Sequence, residues 1–258
     1  MIKYIKNFVK YRSLLEELIS RDVKIKYKHS VLGVLWTLLN PLLMMIVLSI
    51  VFSNLFRFDI ENFPLYILSG QVIFNFFNDA TTSAMSAIVG NAALIKKVYV
   101  PKYMFVLSRV FSSVINLMAS FLALIIVMLV TRAELHWTVL LAFVPIVLVT
   151  IMALGIGLIL ATITVKFRDV MHLYSVLMTV LLYLTPVIYP MSILTDKLYR
   201  FVMGNPLTLV IVMFRDLMIN NTMFRIQDLG LATLEAVIFL ILGIWVFYKK
   251  QDEFILNL

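Results

Sequence analysis

The chain has 258 residues, of which 62% are hydrophobic and 14% charged, whereas soluble domains run near 45 to 50% apolar and about 25% charged. With a mean hydropathy of +1.01, a soluble globular reading is excluded and lipid becomes the solvent for most of the chain. The formal net charge of +8 reads as a topological signal plus attraction to anionic headgroups, not as a nucleic-acid footprint. Zero Cys leaves neither disulfides nor thiolate metal sites.

Residues 1–30 interleave Lys3, Lys6, Lys10, Arg12, Glu16, Glu17, Arg21, Asp22, Lys24, Lys26 and Lys28 with Ile5, Phe8, Val9, Leu14, Leu15, Leu18 and Ile19. They hold no apolar run of the signal-peptide type, and their helical spacing predicts an amphipathic helix at the cytoplasmic interface. It serves either as a topogenic anchor or as a docking surface for a partner. A bilayer-crossing helix needs about 20 mostly apolar residues, and six such stretches follow at 31–56, 64–89, 104–131, 137–164, 171–190 and 229–248. The chain 1–258 is therefore expected to form one membrane domain over 31–248 with a short tail at 249–258.

The second stretch carries Asn75, Asn78, Asp79, Thr81, Thr82 and Ser83, which face acyl chains only at a cost. They must face other helices, line a polar conduit or, with Glu235, form the few stations of a proton relay. The loop from Gly90 to Pro101, GNAALIKKVYVP, is basic and apolar at once, which predicts a brief helix resting on the membrane or against another cytoplasmic body. Arg109, one turn into the third stretch, is expected to snorkel to the interface. In the fourth, Ala153, Gly157 and Ala161 with Gly155 beside them permit close helix approach, for packing or for a hinge.

Between Pro190 and Asp228 the apolar run from Leu207 to Phe214 is too short to cross. Residues 205–220 read as one or two re-entrant helices on the outer side, with Pro206 in a first turn, or else as a flat surface helix. Lys and Arg collect before the first stretch, at Lys96, Lys97 and Lys102, at Lys166 and Arg168, and at Lys249 and Lys250. The intervening segments hold fewer: Arg57, Arg132, Lys197, Arg200, Arg215 and Arg225. That bias places both termini in the cytoplasm. No Gly is followed by Lys, so a Walker-type phosphate cradle is missing, and His29, His136 and His172 are far apart in sequence. Energy for transport must come from another chain or from an ion gradient.

Residues 21–42, RDVKIKYKHSVLGVLWTLLNPL, combine an Arg-Asp pair, a basic stretch with Tyr, then Ser-x-Leu-Gly-x-x-Trp and a Pro. In these features the chain resembles the type-2 ABC exporter permeases that move cell-surface polysaccharides. The likeness continues in order through Leu94-Ile95-Lys96-Lys97 with Pro101, Phe167-Arg168-Asp169, Thr185-Pro186-Val187-Ile188-Tyr189 and Asn205-Pro206. The fold class expected is an all-α membrane protein: six transmembrane helices, an N-terminal interface helix, and outer re-entrant helices between spans five and six.

The resemblance implies a homodimer working with two copies of a separate ABC ATPase. That partner holds ATP and Mg, so this chain is not an enzyme and needs no cofactor of its own. The implied task is export of a lipid-linked glycan, of O-antigen, capsule or teichoic-acid type, across a bacterial or archaeal cytoplasmic membrane. Arg21, Asp22, Lys26 and Tyr27 match the first ATPase-facing element of the family, and Ile95, Lys96, Lys97, Tyr99 and Pro101 lie in the second. Residues 70–77 read GQVIFNFF where many members have a Trp in the aromatic run. Aromatic rings offer apolar faces to sugar C–H groups while polar neighbours meet hydroxyls. Phe74, Phe76, Phe77, Asp79, Tyr183 and Tyr189 are therefore candidate channel lining, or, for the rings, members of an aromatic belt. A drug or small-amphiphile permease of the same superfamily would share these features. An ion-coupled secondary transporter would show internal repeats, which this sequence lacks.

Overall fold

The computed structural model describes residues 11–28, 30–56, 60 and 62–257; the first ten residues of the expected amphipathic segment, with His29 and Arg57, lie outside them. Every regular element described is helical. The main helices are α1 (Arg12–Tyr27), α2 (Trp36–Phe56), α3 (Phe63–Met85), α4 (Tyr103–Val130), α5 (Phe143–Lys166), α6 (Val170–Leu184), α7 (Asp196–Met203), α8 (Pro206–Met218) and α9 (Ile226–Lys250).

Local chemistry sets several boundaries. Gly33 takes a φ of +51° between α1 and α2, in the left-handed region that costs glycine nothing. Asn62 accepts the Leu65 amide at 3.3 Å to cap α3, with Pro64 in the first turn, and Asn205 caps α8 in the same way by accepting the Leu207 amide at 3.1 Å. Thr185 is extended, as a residue before proline must be, so α6 stops ahead of Pro186.

The bundle is centred on α3, which packs on α4 and α5, while α9 lies along α5 and α2 leans on α3 and α4. Small residues of α5 set two of these spacings. A Cβ on Gly155 would land on the Phe239 backbone, and one on Gly243 would strike the Gly155 carbonyl. On the α3 side, a Cβ on Gly157 would come within 2.7 Å of Ala84 Cβ. Backbones that close need glycine, so packing accounts for these small residues.

One end of the bundle gathers α1, the helical turns Ala87–Gly90 and Ala92–Lys97, and the chain after α9: Lys102 Nζ donates to the Gln251 carbonyl and sits 5.6 Å from the Phe254 ring centroid. At the other end Asn62 Nδ2 donates to Thr131 Oγ1 at 2.9 Å, and Thr138 Oγ1 donates to the Leu217 carbonyl at 2.8 Å. There α7 and α8 meet at 94°, and α8 is wedged against α3, α5, α9 and the turn Trp137–Ala142.

By length and composition three described helices can cross a bilayer, Tyr103–Val130, Trp137–Lys166 and Ile226–Leu256, and the bent pair α7–α8 brings the number to four. The count falls short of the six expected for local reasons. α3 is long enough at 23 residues, but Gln71, Asn75, Asn78 and Asp79 dilute its hydropathy. Pro186 ends α6 at 15 residues, whereas α2 runs 21 residues, Trp36–Phe56. The stretches expected at 64–89 and 171–190 accordingly shorten to Phe63–Met85 and Val170–Leu184.

Candidate functional site

α3 is buried over most of its surface, yet Asn75 and Thr82 are exposed and Asn78, Asp79 and Ser83 are half-buried. At 3.6 residues per turn, Gln71, Asn75, Asn78 and Thr82 fall on one face. Across from it, α4 presents Ser113, Asn116 and Ser120 at similar helical spacing, and α2 adds Trp36, Thr37 and Asn40. Together they wall a cleft of about 810 Å³ that runs from Lys26 at the basic end to Tyr183, Val187 and Ile188 at the other. Gln71 Oε1 is buried on this wall without a hydrogen-bond partner among the described residues.

An ion pair stands at the basic end of the cleft. Lys26 Nζ lies 3.3 and 3.4 Å from the two Asp79 oxygens, and Asp79 Oδ2 also accepts from Ser113 Oγ at 2.9 Å and Asn116 Nδ2 at 3.2 Å. Three donors from α1 and α4 thus fix the carboxylate of α3. Lys26, matched to an ATPase-facing element by resemblance, points into the cleft mouth.

Beside it, a second network joins α1 to the neighbouring helices. Asp22, only 7% exposed, accepts from Arg21 Nη2 at 3.0 Å, lies 3.5 Å from Ser108 Oγ, and pairs with Arg109 Nε at 3.4 Å. Arg109 therefore turns inward to a buried carboxylate and does not snorkel as the sequence suggested. Arg21 Nη2 also donates to Asn91 Oδ1 at 2.9 Å, and Asn91 Nδ2 donates to the Ala87 carbonyl at 2.7 Å. One guanidinium so ties α1 to the turns between α3 and α4. On those turns Ile95 is buried, Lys96 and Lys97 are exposed, Pro101 is half-buried and Tyr99 is 92% exposed. The Tyr27 side chain lies outside the described residues.

At the opposite end Arg215 of α8 is buried and uses its whole guanidinium fork. Nε donates to Ser69 Oγ at 3.3 Å, Nη1 to Tyr66 Oη at 2.7 Å and the Pro186 carbonyl at 2.6 Å, and Nη2 to the Tyr66 and Val187 carbonyls at 3.1 and 2.9 Å. Its plane stacks 3.6 Å from the Tyr66 ring centroid. Gly70 makes the room, since a Cβ there would sit 2.6 Å from Arg215 Nη2. The arginine fastens α8 to α3 and to the chain leaving α6.

Of the residues expected to line a channel, Asp79 and Tyr183 border the cleft. Phe74, Phe76 and Phe77, at 3%, 4% and 4% exposure, pack inside the core, with Phe76 reaching the cleft wall only at its edge. Tyr189 Oη donates to the Tyr183 and Leu184 carbonyls at 3.1 and 3.2 Å, closing the end of α6. Sequence reasoning missed Gln71, Asn91 and the buried role of Arg215. Gln71 was within reach, because it continues the period of Asn75 and Asn78; Arg215 looked like one more outside charge. Among the described residues, no group of His, Asp and Glu is placed to hold a metal ion.

Comparison with known proteins places these features in a lineage. The family model described as ABC-2 type transporter matches residues 13–219. The chain is 29% identical over 256 residues, 98% of either chain, to the O-antigen export system permease protein RfbA of Myxococcus xanthus. It is 27% identical over 245 residues, 93% of either chain, to the protein of the same name from Klebsiella pneumoniae. To the polysialic acid transport protein KpsM of Escherichia coli it is 20% identical over 248 residues, 94% of this chain and 95% of the relative.

Proposed function

The chain belongs to the ABC-2 type transporter family, and we propose that it is the transmembrane subunit that exports a lipid-linked polysaccharide across the cytoplasmic membrane. The observation that carries this reading is the polar face of α3, open along Asn75, Asn78 and Thr82 to the cleft, in a chain whose solvent is lipid. Carboxamides facing acyl chains would be costly, so such a face is built to meet a polar solute. A hydroxyl-rich polymer meets carboxamides and hydroxyls by hydrogen bonds while the exposed rings of Trp36 and Tyr183 on the same wall cover its apolar C–H faces. The likeness to O-antigen export permeases supports the same substrate class.

In this reading α2, α3, α4, α5, α6 and α9 all cross the bilayer, both termini are cytoplasmic, and α7–α8 dip in from the outer side. A second copy of the chain covers the open side of the cleft, where α2 and α6 expose Met44, Val47, Leu173 and Val176. Two copies of an ABC ATPase hold ATP and Mg and press on α1 and on the turns through Lys96 and Lys97. The link from Arg21 to Asn91 supports treating these as one docking surface that moves together.

Deleting the gene in its native host tests the reading. Surface polysaccharide is expected to disappear while its lipid-linked form accumulates inside, and the wild-type gene restores export. An unchanged surface glycan, with sensitivity to a small amphiphile gained instead, would contradict it.

A further inference from the structure

We propose that the cleft selects an uncharged glycan over a polyanionic one; the inference rests on the export reading above and names its substrate class. Among the described residues on the wall, the charged side chains are Lys26 and Asp79, and they face each other at 3.3 Å. The rest of the polar wall is neutral. It consists of the carboxamides of Asn40, Gln71, Asn75, Asn78 and Asn116 with several hydroxyls.

A chain of carboxylates or phosphodiesters entering a slit between apolar helices sheds water, and an ion left without a counter-charge is penalised far more than a hydroxyl. Among the described wall residues the one cation, Lys26, is already matched by Asp79, whose own charge would repel an anion passing it. Hydroxyls, by contrast, both donate to and accept from carboxamides, and Gln71, Asn75, Asn78 and Thr82 repeat along one face of α3 about once per 5.4 Å turn. A symmetric second copy would present the same wall again and bring no new sign of charge.

The test compares two polymers on one lipid carrier. Cells producing either a lipid-linked neutral mannose homopolymer or lipid-linked polysialic acid would express the full chain together with its ATPase. The neutral polymer is expected at the surface at a rate about tenfold or more above that of the anionic one, a ratio set by the difference in barrier heights. Asn75→Lys, and separately Asn78→Arg, should narrow or reverse the ratio by supplying a free cation. Export of polysialic acid by the wild type as fast as the neutral polymer would overturn the inference and leave the export reading standing. A ratio unmoved by both correctly inserted variants would also overturn it. Export of neither polymer, with the complex assembled and hydrolysing ATP, would overturn the export reading itself.

Discussion

Arg215 stands where the outer end of the bundle is held together. Its donors satisfy the carbonyls of Tyr66, Pro186 and Val187 and the hydroxyls of Ser69 and Tyr66, groups that would otherwise be buried with too few partners. A lysine keeps the charge but offers three donors from a single point and cannot reproduce a planar fork. Arg215→Lys should therefore destabilise the folded permease by about 1–3 kcal/mol, the usual cost of leaving buried polar groups unpaired. Thermal unfolding in detergent reads this as a lowered melting temperature, and an unchanged midpoint would mean the fork fastens nothing. At this scale the sequence was only partly legible. The period of Asn75, Asn78 and Thr82 announced a polar face. It could not say that Asp22 reaches Arg109 or that Arg215 turns inward, because such pairings join segments far apart in the chain. Nor could the run of rings beside Asn75 all share its face, since neighbours on a helix are about 100° apart, and Phe74 and Phe77 indeed go to the core.

Among the elements, the turns between α3 and α4 carry the proposed coupling. Ile95 anchors Ala92–Lys97 while Lys96 and Lys97 project outward, and Arg21 binds the base of the turns through Asn91. A segment held at both points passes on a push that a loose loop would absorb. Reversing both charges, Lys96→Glu with Lys97→Glu, should weaken docking of the ATPase, with export reduced and protein level preserved, since complementary charge governs such encounters. Co-purification and export are the two readouts; a double variant that retains both at wild-type values would make the segment a plain turn. The start of α8 was legible in the Asn205-Pro206 pair, because proline and side-chain caps act locally, whereas the stop of α6 ahead of Pro186 was not read, and the stretch expected to reach 190 ends at Leu184. Span composition was harder to judge, since α3 gives up apolar length for the polar face that makes it useful.

For the whole molecule, the all-helical architecture follows from composition alone, as a chain this apolar must satisfy its backbone within each segment. The arrangement of those helices was not legible. Which of them meet is decided by close contacts such as Gly155 against Gly243, and the cleft exists only once α2, α3 and α4 stand together. That cleft as the conduit is the central claim. The natural chain has no Cys, so Asn75→Cys introduces a single thiol at an exposed point on the wall. Gly230→Cys gives a control on α9, where an added Cβ meets nothing within 4 Å. After reaction with a bulky maleimide, export of surface polysaccharide through the Asn75→Cys permease should fall about tenfold or more, the effect of an added barrier on the transport step, while the labelled Gly230→Cys protein exports at its unlabelled rate. Fully labelled Asn75→Cys permease that exports as fast as before labelling would contradict the assignment of the cleft as the path of the glycan.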